Sequence, residues 1–429
     1  MKNIILITID CMRGDTLLLP ELYPSEHLDR LRRDSVTFTH CISSGPVTPF
    51  AFRGLFTGRY PLVNWSQGKL PDSMMTMAEI LKKAGYRTAG IHDNPYLHKE
   101  FGYGRGFDIF CDNVSNYNEI TSEKIAAQAA EYTESDSPFF LWAHFMDLHG
   151  PYMFPKQYFR HVHLNSLYGR WVRKKLAKNF RNIVGRKRRE RAARKLYRAA
   201  FRWSWDSVGT FLSQLDPGLY EDALIIVTAD HGDGLGEHGY IGHFSYLYDD
   251  VLHIPLIFKL PGNAHAGTVC GSTVSQLDIL PTILAAAEAD QGSGSFDGCD
   301  ISSGFAGDTG LSNNHVISEC IHKGYRCTPR KNVFYPFDPA MCRIAVRSGY
   351  FKYIFDGETD SEELYDLEHD PGETENAAGS FPDKARELKN IFSRHMDLLK
   401  STNSEQTTDK ETDVDSSIRE RLRSLGYME

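Results

Sequence analysis

Two short apolar runs, each leading into a carboxylate, constrain the fold of this chain more than any other feature. Residues 223–228 are followed, after Ala229, by Asp230 and His231. The run at 4–9 leads directly into Asp10. Continuous apolar runs of this length predict strands of a parallel sheet that is covered on both faces. The carboxyl ends of parallel strands meet at one edge of a sheet, where α/β proteins bind their ligands. We therefore expect Asp10, Asp230 and His231 to lie together at that edge.

The order of the remaining segments predicts an α/β fold, with a doubly wound, mostly parallel sheet and a smaller C-terminal α+β subdomain. Strands alternate with amphipathic helices in the amino-terminal part, which indicates βαβ units. Two alternating segments joined by Ser348 and Gly349 predict an antiparallel hairpin in the C-terminal part. The expected elements are further strands at 88–91, 139–144 and 255–260, helices at 73–83, 121–134 and 203–215, and hairpin strands at 343–347 and 350–354.

A change of pattern near residue 312 divides the chain into the units that we expect to fold. They are a catalytic domain at 1–311 with a basic helical insertion at about 155–203, the α+β subdomain at 312–400, and a tail at 401–429. Within the tail, the polar residues 401–417 are expected to be disordered and 418–425 to form a short helix.

The composition is typical of a globular protein without a membrane span. The chain has 429 residues, of which 41% are apolar, enough to bury a large core. No apolar run approaches the length that crosses a bilayer, and the run at 4–9 is too short for the core of a signal peptide. The eight cysteines lack the paired spacing of zinc sites. We therefore expect reduced thiols and a cytoplasmic location.

Basic residues are concentrated in one segment of an otherwise acidic chain. The net charge is -8, yet residues 170–202 contain fifteen Lys or Arg and a single acidic residue, Glu190. We call this segment the basic arm. It either recruits a polyanion, such as nucleic acid, an anionic glycan or lipid head groups, or forms a solvated helical pair over the rim of the active site.

The segment that ends in Thr-Gly-Arg-Tyr-Pro carries a resemblance to a known family. Residues 55–61 read Leu-Phe-Thr-Gly-Arg-Tyr-Pro, which resembles the signature of the sulfatase branch of the alkaline phosphatase superfamily. In that family the nucleophile lies nine residues before the Thr of this signature, at the position of Thr48. The sequences around Asp10 and Asp230 also resemble family segments. Further similar segments, in family order, lie at 235–239, 253–257, 276–282 and 363–371.

The resemblance implies an alkaline phosphatase-like fold and a sulfatase-like hydrolase of sulfuric or phosphoric esters. It implies an anionic ester substrate and a divalent cation, with calcium expected from the family and manganese, zinc or magnesium also compatible with carboxylate and imidazole ligands. Asp10, Asp230 and His231 are the expected ligands of that cation.

The chain departs from the family pattern at the nucleophile and at one metal ligand. Sulfatases convert a Cys or Ser in a Cys/Ser-x-Pro-x-Arg context into formylglycine, and Thr48 cannot be converted. Cys41 lacks the Pro and Arg of that context. The family's first strand commonly ends in Asp-Asp, where this chain has Asp10 and Cys11. A phosphotransferase or phosphodiesterase of the same superfamily, and a non-catalytic protein that binds an anionic ligand, therefore stay open as alternatives.

The residue types around Thr48 suggest how an ester would be broken. A cation on Asp10, Asp230 and His231 would favour the Thr48 alkoxide and offset the charge that develops on the ester oxygens. The competing interpretation is that Thr48 caps the helix that follows it, which Thr does well.

Six further residues have candidate roles. His149 matches the family His of His-x-Pro and is expected to touch the ester oxygens. Asp147 and His149 could instead hold a second cation, or form structural hydrogen bonds. His243 stands where many sulfatases carry a substrate-contacting Lys, and would protonate the leaving oxygen or join a second metal site. The candidate substrate-binding residues are Asn94, near the family's other oxyanion contact, and Arg13 and Arg53, each of which would neutralise the ester anion or serve a structural role.

Overall fold

The computed structural model describes residues 2–65, 69–112, 121–134, 138–178, 187–290, 295–307, 311, 315–322 and 337–404. The helix expected at 418–425 lies outside these residues, as does most of the tail expected to be disordered at 401–417. The start of that tail is helical, because Asn403 exchanges hydrogen bonds with the backbone of Leu62 and Trp65 and so anchors the last helix.

The described residues form an eight-stranded sheet, a four-stranded sheet and a two-stranded ribbon. Their strands are β1 (Ile4–Ile9), β2 (Val36–Ile42), β3 (Arg87–His92), β4 (Ile109–Asp112), β5 (Phe139–Phe145), β6 (Leu224–Thr228), β7 (Gly234–Leu235), β8 (Ile241–Gly242), β9 (His253–Lys259), β10 (Val269–Ser275), β11 (Val316–Ile321), β12 (Cys342–Ser348), β13 (Phe351–Asp356) and β14 (Ser361–Asp366).

The larger sheet has the strand order β10-β2-β9-β6-β1-β5-β3-β4. β1 lies in its interior and runs parallel to both of its neighbours, β6 and β5. All residues of these three strands are buried, because helices cover both faces of the sheet. The predicted α/β class with a doubly wound, mostly parallel sheet is confirmed.

One predicted parallel strand, at 255–260, runs in the opposite direction. β9 is antiparallel to both of its neighbours, β2 and β6. The connection after β6 stays at the carboxyl edge of the sheet, where Gly232 N donates to Val251 O at 2.7 Å. Because the chain does not cross to the other edge before β9 begins, β9 has to run back. A strand that is buried on both faces looks the same in either direction, so the apolar pattern could not reveal this.

Three strands of the larger sheet, β2, β4 and β10, were not predicted. β4 and β10 are the edge strands, and their residues are partly exposed. Edge strands do not need a continuous apolar run, and β10 carries Gly271 and several polar residues. β2 includes two threonines and a histidine among its seven residues, so it lacks the continuous apolar run that would predict a strand inside the sheet.

The helices flank the larger sheet, except for the last one, which covers the smaller sheet. They are α1 (Asp15–Leu18), α2 (Glu26–Arg33), α3 (Thr48–Thr57), α4 (Met77–Lys83), α5 (Ser122–Tyr132), α6 (Ser166–Lys178), α7 (Lys187–Gln214), α8 (Pro217–Asp222), α9 (Asp249–Leu252), α10 (Ile279–Ala286) and α11 (Pro382–Asn403).

Two helix starts differ from the prediction. α4 begins at Met77 and not at residue 73, because Thr76 and Glu79 form a capping box that sets the amino terminus. α7 begins at Lys187 and not at residue 203, so the helix runs through much of the basic arm. Lys and Arg favour helices, and they alternate here with buried residues such as Leu196 that pack against the core. Within the described chain, the basic arm is therefore a pair of helices, α6 and α7, that contact each other.

The smaller sheet has the order β11-β12-β13-β14, and all of its pairs are antiparallel. The hairpin predicted around Ser348 and Gly349 is confirmed as β12 and β13. This sheet is tied to the loop before α3, where Ser318 Oγ donates to Ser43 O at 2.6 Å. The division of the chain near residue 312 stays a prediction.

Within the described ranges, no helix is both long enough and apolar enough to cross a membrane. The cytoplasmic location stays a prediction.

Candidate metal and nucleophile site

The ends of β1 and β6 bring two carboxylates together at the carboxyl edge of the larger sheet. Asp10 and Asp230 are both fully buried. The backbone N–H groups of Cys11 and His231 donate to Asp230 Oδ1 at 3.2 and 2.8 Å, which fixes that carboxylate. His231 Nε2 lies 3.3 Å from Asp230 Oδ2. The three predicted cation ligands thus share one site, because β1 and β6 are adjacent parallel strands in register.

Thr48 reaches the same site from the amino terminus of α3. Its Oγ1 donates to Asp230 Oδ2 at 3.2 Å, and its side chain is buried. Val47 is the N-cap of α3, and no side chain caps the helix. The competing interpretation that the Thr48 hydroxyl caps α3 is therefore wrong. The amino terminus of α3 places the positive end of its helix dipole at this site, which favours an anion there.

His144, which the sequence did not single out, also belongs to the site. Its Nε2 lies 3.3 Å from Asp10 Oδ2, and its Nδ1 contacts Thr8 Oγ1 at 2.9 Å. His144 lies beside Thr8 in the register of β5 on β1. His144 is the last residue of the predicted strand at 139–144, which is the signal the sequence offers, but its approach to Asp10 depends on β5 lying beside β1.

Asn94 follows β3 and is directed at the same carboxylate. Asn94 Oδ1 accepts from Tyr96 N at 2.9 Å, and this orients the amide so that Nδ2 donates to Asp10 Oδ2 at 3.0 Å. Of the three candidate substrate-binding residues, Asn94 is the one with a side chain that contacts a predicted cation ligand.

His149 and His243 pack against each other beside the carboxylates, with ring centroids 5.0 Å apart. The ring of His243 also lies 4.3 Å from that of His231. His243 Nδ1 contacts Asp233 Oδ1 at 3.0 Å, and Tyr152 donates to the other oxygen of Asp233 at 2.6 Å. Asp233 is a further site residue that the sequence did not single out, although it lies two positions after His231.

Asp147 is not part of the cluster. Its Oδ1 accepts from Thr121 N, and its Oδ2 accepts from Ser122 N and from the indole N–H of Trp203. These hydrogen bonds fasten the amino terminus of α5 to α7 and occupy both carboxylate oxygens. The prediction that Asp147 binds a cation does not fit this geometry, because its oxygens accept these N–H groups and it belongs to none of the clusters of donor atoms among the described residues. The remaining alternative, structural hydrogen bonding, fits.

The two candidate arginines have protein partners. Arg53 donates to backbone carbonyls of the loop after α3, which is a structural role. Arg13 forms ion pairs with Asp15 at 2.8 Å and Glu237 at 3.1 Å, and donates to Asp233 O at 3.0 Å. Arg13 thus braces the loop that carries Asp233, while Arg53 lies away from the cluster.

The buried carboxylates have opposite pKa shifts. Burial raises the pKa of Asp230, and the charge of Asp10 raises it further. Burial also raises the pKa of Asp10, but the hydrogen bond from His144 and the charge of His149, among others, outweigh it, so that the net pKa falls below the usual range. Two carboxylates in one buried site repel each other, and a divalent cation between them would remove that repulsion.

The pKa values of three neighbouring groups are shifted in the direction that favours the neutral form of each. Burial lowers the pKa of His243 well below its usual value, and the charge of His231 lowers it further. This does not support His243 as the acid that protonates a leaving oxygen. Burial raises the pKa of the Cys11 thiol well above its usual value. Burial raises the pKa of Asp233 to about 6, although the hydrogen bond from Tyr152 opposes the shift.

The donor set fits a divalent cation. Three groups of donor atoms each lie within 4.8 Å of one another: Asp10, His144 and Asp230; Cys11, His231 and His243; and Asp10, Cys11 and His149. His144 Nε2 and His231 Nε2 are fully buried, and each lies 3.3 Å from one carboxylate oxygen, Asp10 Oδ2 and Asp230 Oδ2 respectively. Two imidazole nitrogens that converge on two buried carboxylates form a donor set of the kind that holds a divalent cation.

Two family models match this chain. A family model described as Sulfatase matches residues 2–289, and one described as N-sulphoglucosamine sulphohydrolase, C-terminal, matches residues 236–401. The uncharacterized sulfatase YidJ of Escherichia coli strain K12 is 23% identical over an alignment that covers 88% of this chain and 83% of that protein.

Two solved structures share the fold. The phosphonate monoester hydrolase of Agrobacterium radiobacter superposes with a TM-score of 0.73 at 20% identity, over 94% of this chain and 96% of that chain. A protein in complex with its substrate D-glucosamine-2-N,6-O-disulfate gives a TM-score of 0.74 at 17% identity, over 95% and 100%.

Proposed function

Since this chain belongs to the sulfatase family, we propose that it is a metal-dependent hydrolase of sulfate or phosphate esters with Thr48 as its nucleophile. Family membership makes it a sulfatase-like ester hydrolase; the cation and the nucleophile are the finer parts of the proposal. The observation that supports them is the hydrogen bond from Thr48 Oγ1 to Asp230 Oδ2, 3.2 Å long, in a cluster of cation-binding residues.

Thr48 attacks the sulfur or phosphorus of the ester, and the bond from that atom to the leaving oxygen breaks. Asp230 Oδ2 already accepts the Thr48 hydroxyl hydrogen, so it is the first acceptor of the proton. Asp10, Asp230 and His231 would hold the cation, which supplies positive charge against the alkoxide and the ester oxygens. Water then releases sulfate or phosphate from Thr48 and restores the hydroxyl.

The non-bridging ester oxygens need hydrogen-bond donors. The amino terminus of α3 places the positive end of its helix dipole at Thr48. Asn94 Nδ2 contacts Asp10 Oδ2 at 3.0 Å, and a His149 ring nitrogen lies within 4.8 Å of donor atoms of Asp10 and Cys11; we assign both side chains to the ester oxygens. Since Arg53 is committed to backbone carbonyls, the anion is not neutralised by that side chain.

The test is a paired assay of the purified chain with aryl sulfates and with aryl phosphate mono- and diesters, each with added zinc, manganese, magnesium or calcium. We expect turnover of at least one ester class that depends on the cation, because the two buried carboxylates need it. Product formation that requires an added acceptor would identify a phosphotransferase instead. No turnover of any ester with any cation would leave the non-catalytic binding protein as the better explanation.

The basic arm adjoins this site, which favours a polymeric anionic substrate. Tyr197 of α7 donates to Cys11 O at 2.9 Å and accepts from Arg13 N at 3.0 Å. One turn earlier, Arg194 donates to Leu235 O at 2.9 Å. The outer side of the arm carries further basic residues and the half-exposed Trp171. An anionic glycan that enters the site would therefore lie along α7, and we propose this class of polyanion for the arm.

Charge reversal of the exposed Arg188 and Arg191 is expected to raise the KM for an anionic glycan about tenfold at low salt. The KM for a small aryl ester should change little, because both residues lie turns away from the cluster on α7. The difference should shrink at high salt, since screening weakens exposed charges. The combined Arg386→Glu and Arg394→Glu variant on α11 reverses two exposed arginines elsewhere and is the control. If the KM for the glycan were equal in both variants, the basic arm would be better explained as a solvated helical pair.

A further inference from the structure

Cys11 lies among the cation-binding donors and is fully buried. Its Sγ donates to Asp10 Oδ1 at 3.0 Å. It belongs to two of the clusters whose donor atoms all lie within 4.8 Å, one with His231 and His243 and one with Asp10 and His149. The backbone of Cys11 is held from both sides, by Asp230 Oδ1 on its N–H and by Tyr197 on its carbonyl.

That backbone adopts an unusual conformation. Cys11 has a φ of 60°, in the left-handed region that residues with a side chain rarely occupy. Such conformations persist where the surroundings impose them, and they are common at functional sites. The conformation turns the thiol towards Asp10, where the hydrogen bond holds it.

The histidines around Cys11 are oriented as metal ligands are. His231 Nδ1 contacts Gly232 O at 2.9 Å, and His243 Nδ1 contacts Asp233 Oδ1 at 3.0 Å. Since Gly232 O is an acceptor, His231 Nδ1 carries the proton and its Nε2 keeps a lone pair. Cys11 Sγ lies 3.9 Å from His231 Nδ1 and 3.4 Å from His243 Nδ1. A carbonyl or carboxylate on the far nitrogen is the usual second partner of a metal-bound histidine. The buried His231 Nε2 lies 3.3 Å from Asp230 Oδ2, another predicted ligand of the cation.

The cluster is poor in oxygen donors. Calcium takes six to eight oxygen ligands. The described side chains offer the carboxylates of Asp10 and Asp230 and the hydroxyl of Thr48. The amide oxygen of Asn94 is committed to Tyr96 N. Thiolate and imidazole ligands select zinc and similar transition ions over calcium.

We propose that Cys11 Sγ binds the catalytic cation directly as a thiolate, and that this ligand makes the site select a zinc-like transition ion over calcium. The thiol proton passes to solvent as the ion binds. The inference rests on the proposed function only for the presence of a cation beside Thr48.

Cobalt(II) is a spectroscopic probe for this ligand. The full chain loaded with Co²⁺ is expected to show a near-ultraviolet sulfur-to-cobalt charge-transfer band together with visible d–d bands. Cys11→Ser should lose the charge-transfer band but keep the d–d bands. Its Zn²⁺ affinity should fall by about 100-fold, which is the upper end of the loss seen when only a hydrogen-bond partner of a metal ligand is removed. Cys41→Ser is the matched control, because Cys41 is equally buried but lies on β2 outside the clusters; it should keep both bands.

Cys11→Asp is the second variant and replaces sulfur by oxygen. We expect the ratio of Ca²⁺ to Zn²⁺ affinity, measured by titration calorimetry, to rise at least about tenfold over wild type. This measurement guards against a Cys11→Ser variant that folds poorly.

The outcomes separate the two proposals. Co²⁺ that binds wild type without a sulfur band, or an unchanged Ca²⁺ to Zn²⁺ ratio in Cys11→Asp, would overturn the thiolate ligand, while cation-dependent ester hydrolysis would still stand. A sulfur band in a chain that hydrolyses no ester would support the ligand and remove the proposed function.

Discussion

Thr48→Ala is expected to lower kcat/KM for the ester that wild type hydrolyses by about 10³-fold or more, the range that loss of a nucleophile costs other enzymes. The alanine variant keeps the cation ligands and the amino terminus of α3, so substrate binding should survive and most of the loss should appear in kcat. Thr48→Ser keeps a hydroxyl in the same place and should stay within about tenfold of wild type. Mass spectrometry of quenched reactions should find a sulfuryl or phosphoryl group on Thr48.

Thr57→Ala is the matched control for this prediction. Thr57 is a buried threonine on the same helix, and its hydroxyl donates to Arg53 O rather than to the cluster. Its loss should cost about 1 kcal/mol of stability, as for an ordinary hydrogen bond, and leave kcat/KM nearly unchanged. If Thr48→Ala behaved like Thr57→Ala, the nucleophile would have to be sought elsewhere.

Asp230→Asn is expected to abolish the stabilisation by the cation and, at the same time, to stabilise the cation-free protein. In wild type, a cation at 100 times its Kd should raise the free energy of unfolding by about 2.7 kcal/mol. Asparagine keeps an oxygen for the N–H groups of Cys11 and His231 but removes a buried charge beside Asp10, whose repulsion is reflected in the raised pKa of Asp230. The cation-free variant should therefore unfold at a higher temperature than cation-free wild type, with activity lost.

Asp147→Asn makes the same chemical change outside the cluster and should have the opposite effect. Asp147 accepts three N–H groups, and an amide NH₂ cannot accept them all, so stability should fall by about 1–3 kcal/mol. The cation should still raise its unfolding temperature. Calorimetric scans measure the unfolding temperature of each variant with and without the cation. A cation effect lost in Asp147→Asn but kept in Asp230→Asn would contradict the ligand assignment.

Part of the candidate site could be predicted from the sequence, because polar residues follow the ends of two buried strands. A strand that is covered on both faces has to be continuously apolar, so the first polar side chain beyond it stands out, as Asp10 and Asp230 do. Thr48 followed from its distance to the Thr-Gly-Arg segment, through the family resemblance. His144 and Asp233 were not found, because their approach to the site depends on the order of β6, β1 and β5 and on the path of the loop after β6.

Asp147 and His149 illustrate the limit of spacing as a guide. They lie two residues apart after the same strand, and the sequence gives both the same chance of facing a cation. In the folded chain, Asp147 is taken by the amino terminus of α5 and by Trp203, whereas His149 packs on His243. Those partners are remote in sequence, and no local pattern identifies them.

By itself, the sequence determined the α/β class, the strand ends that carry Asp10, Asp230 and His231, and the hairpin of the smaller sheet, because apolar periodicity and turn residues act over short stretches of chain. The tertiary structure alone decided the direction of β9 and the position of Asp147 and Arg53 outside the site. It also decided that Cys11, His144 and Asp233 lie in the site. These depend on which strands become neighbours and on which buried polar atoms find partners, and both are settled only when distant segments pack together.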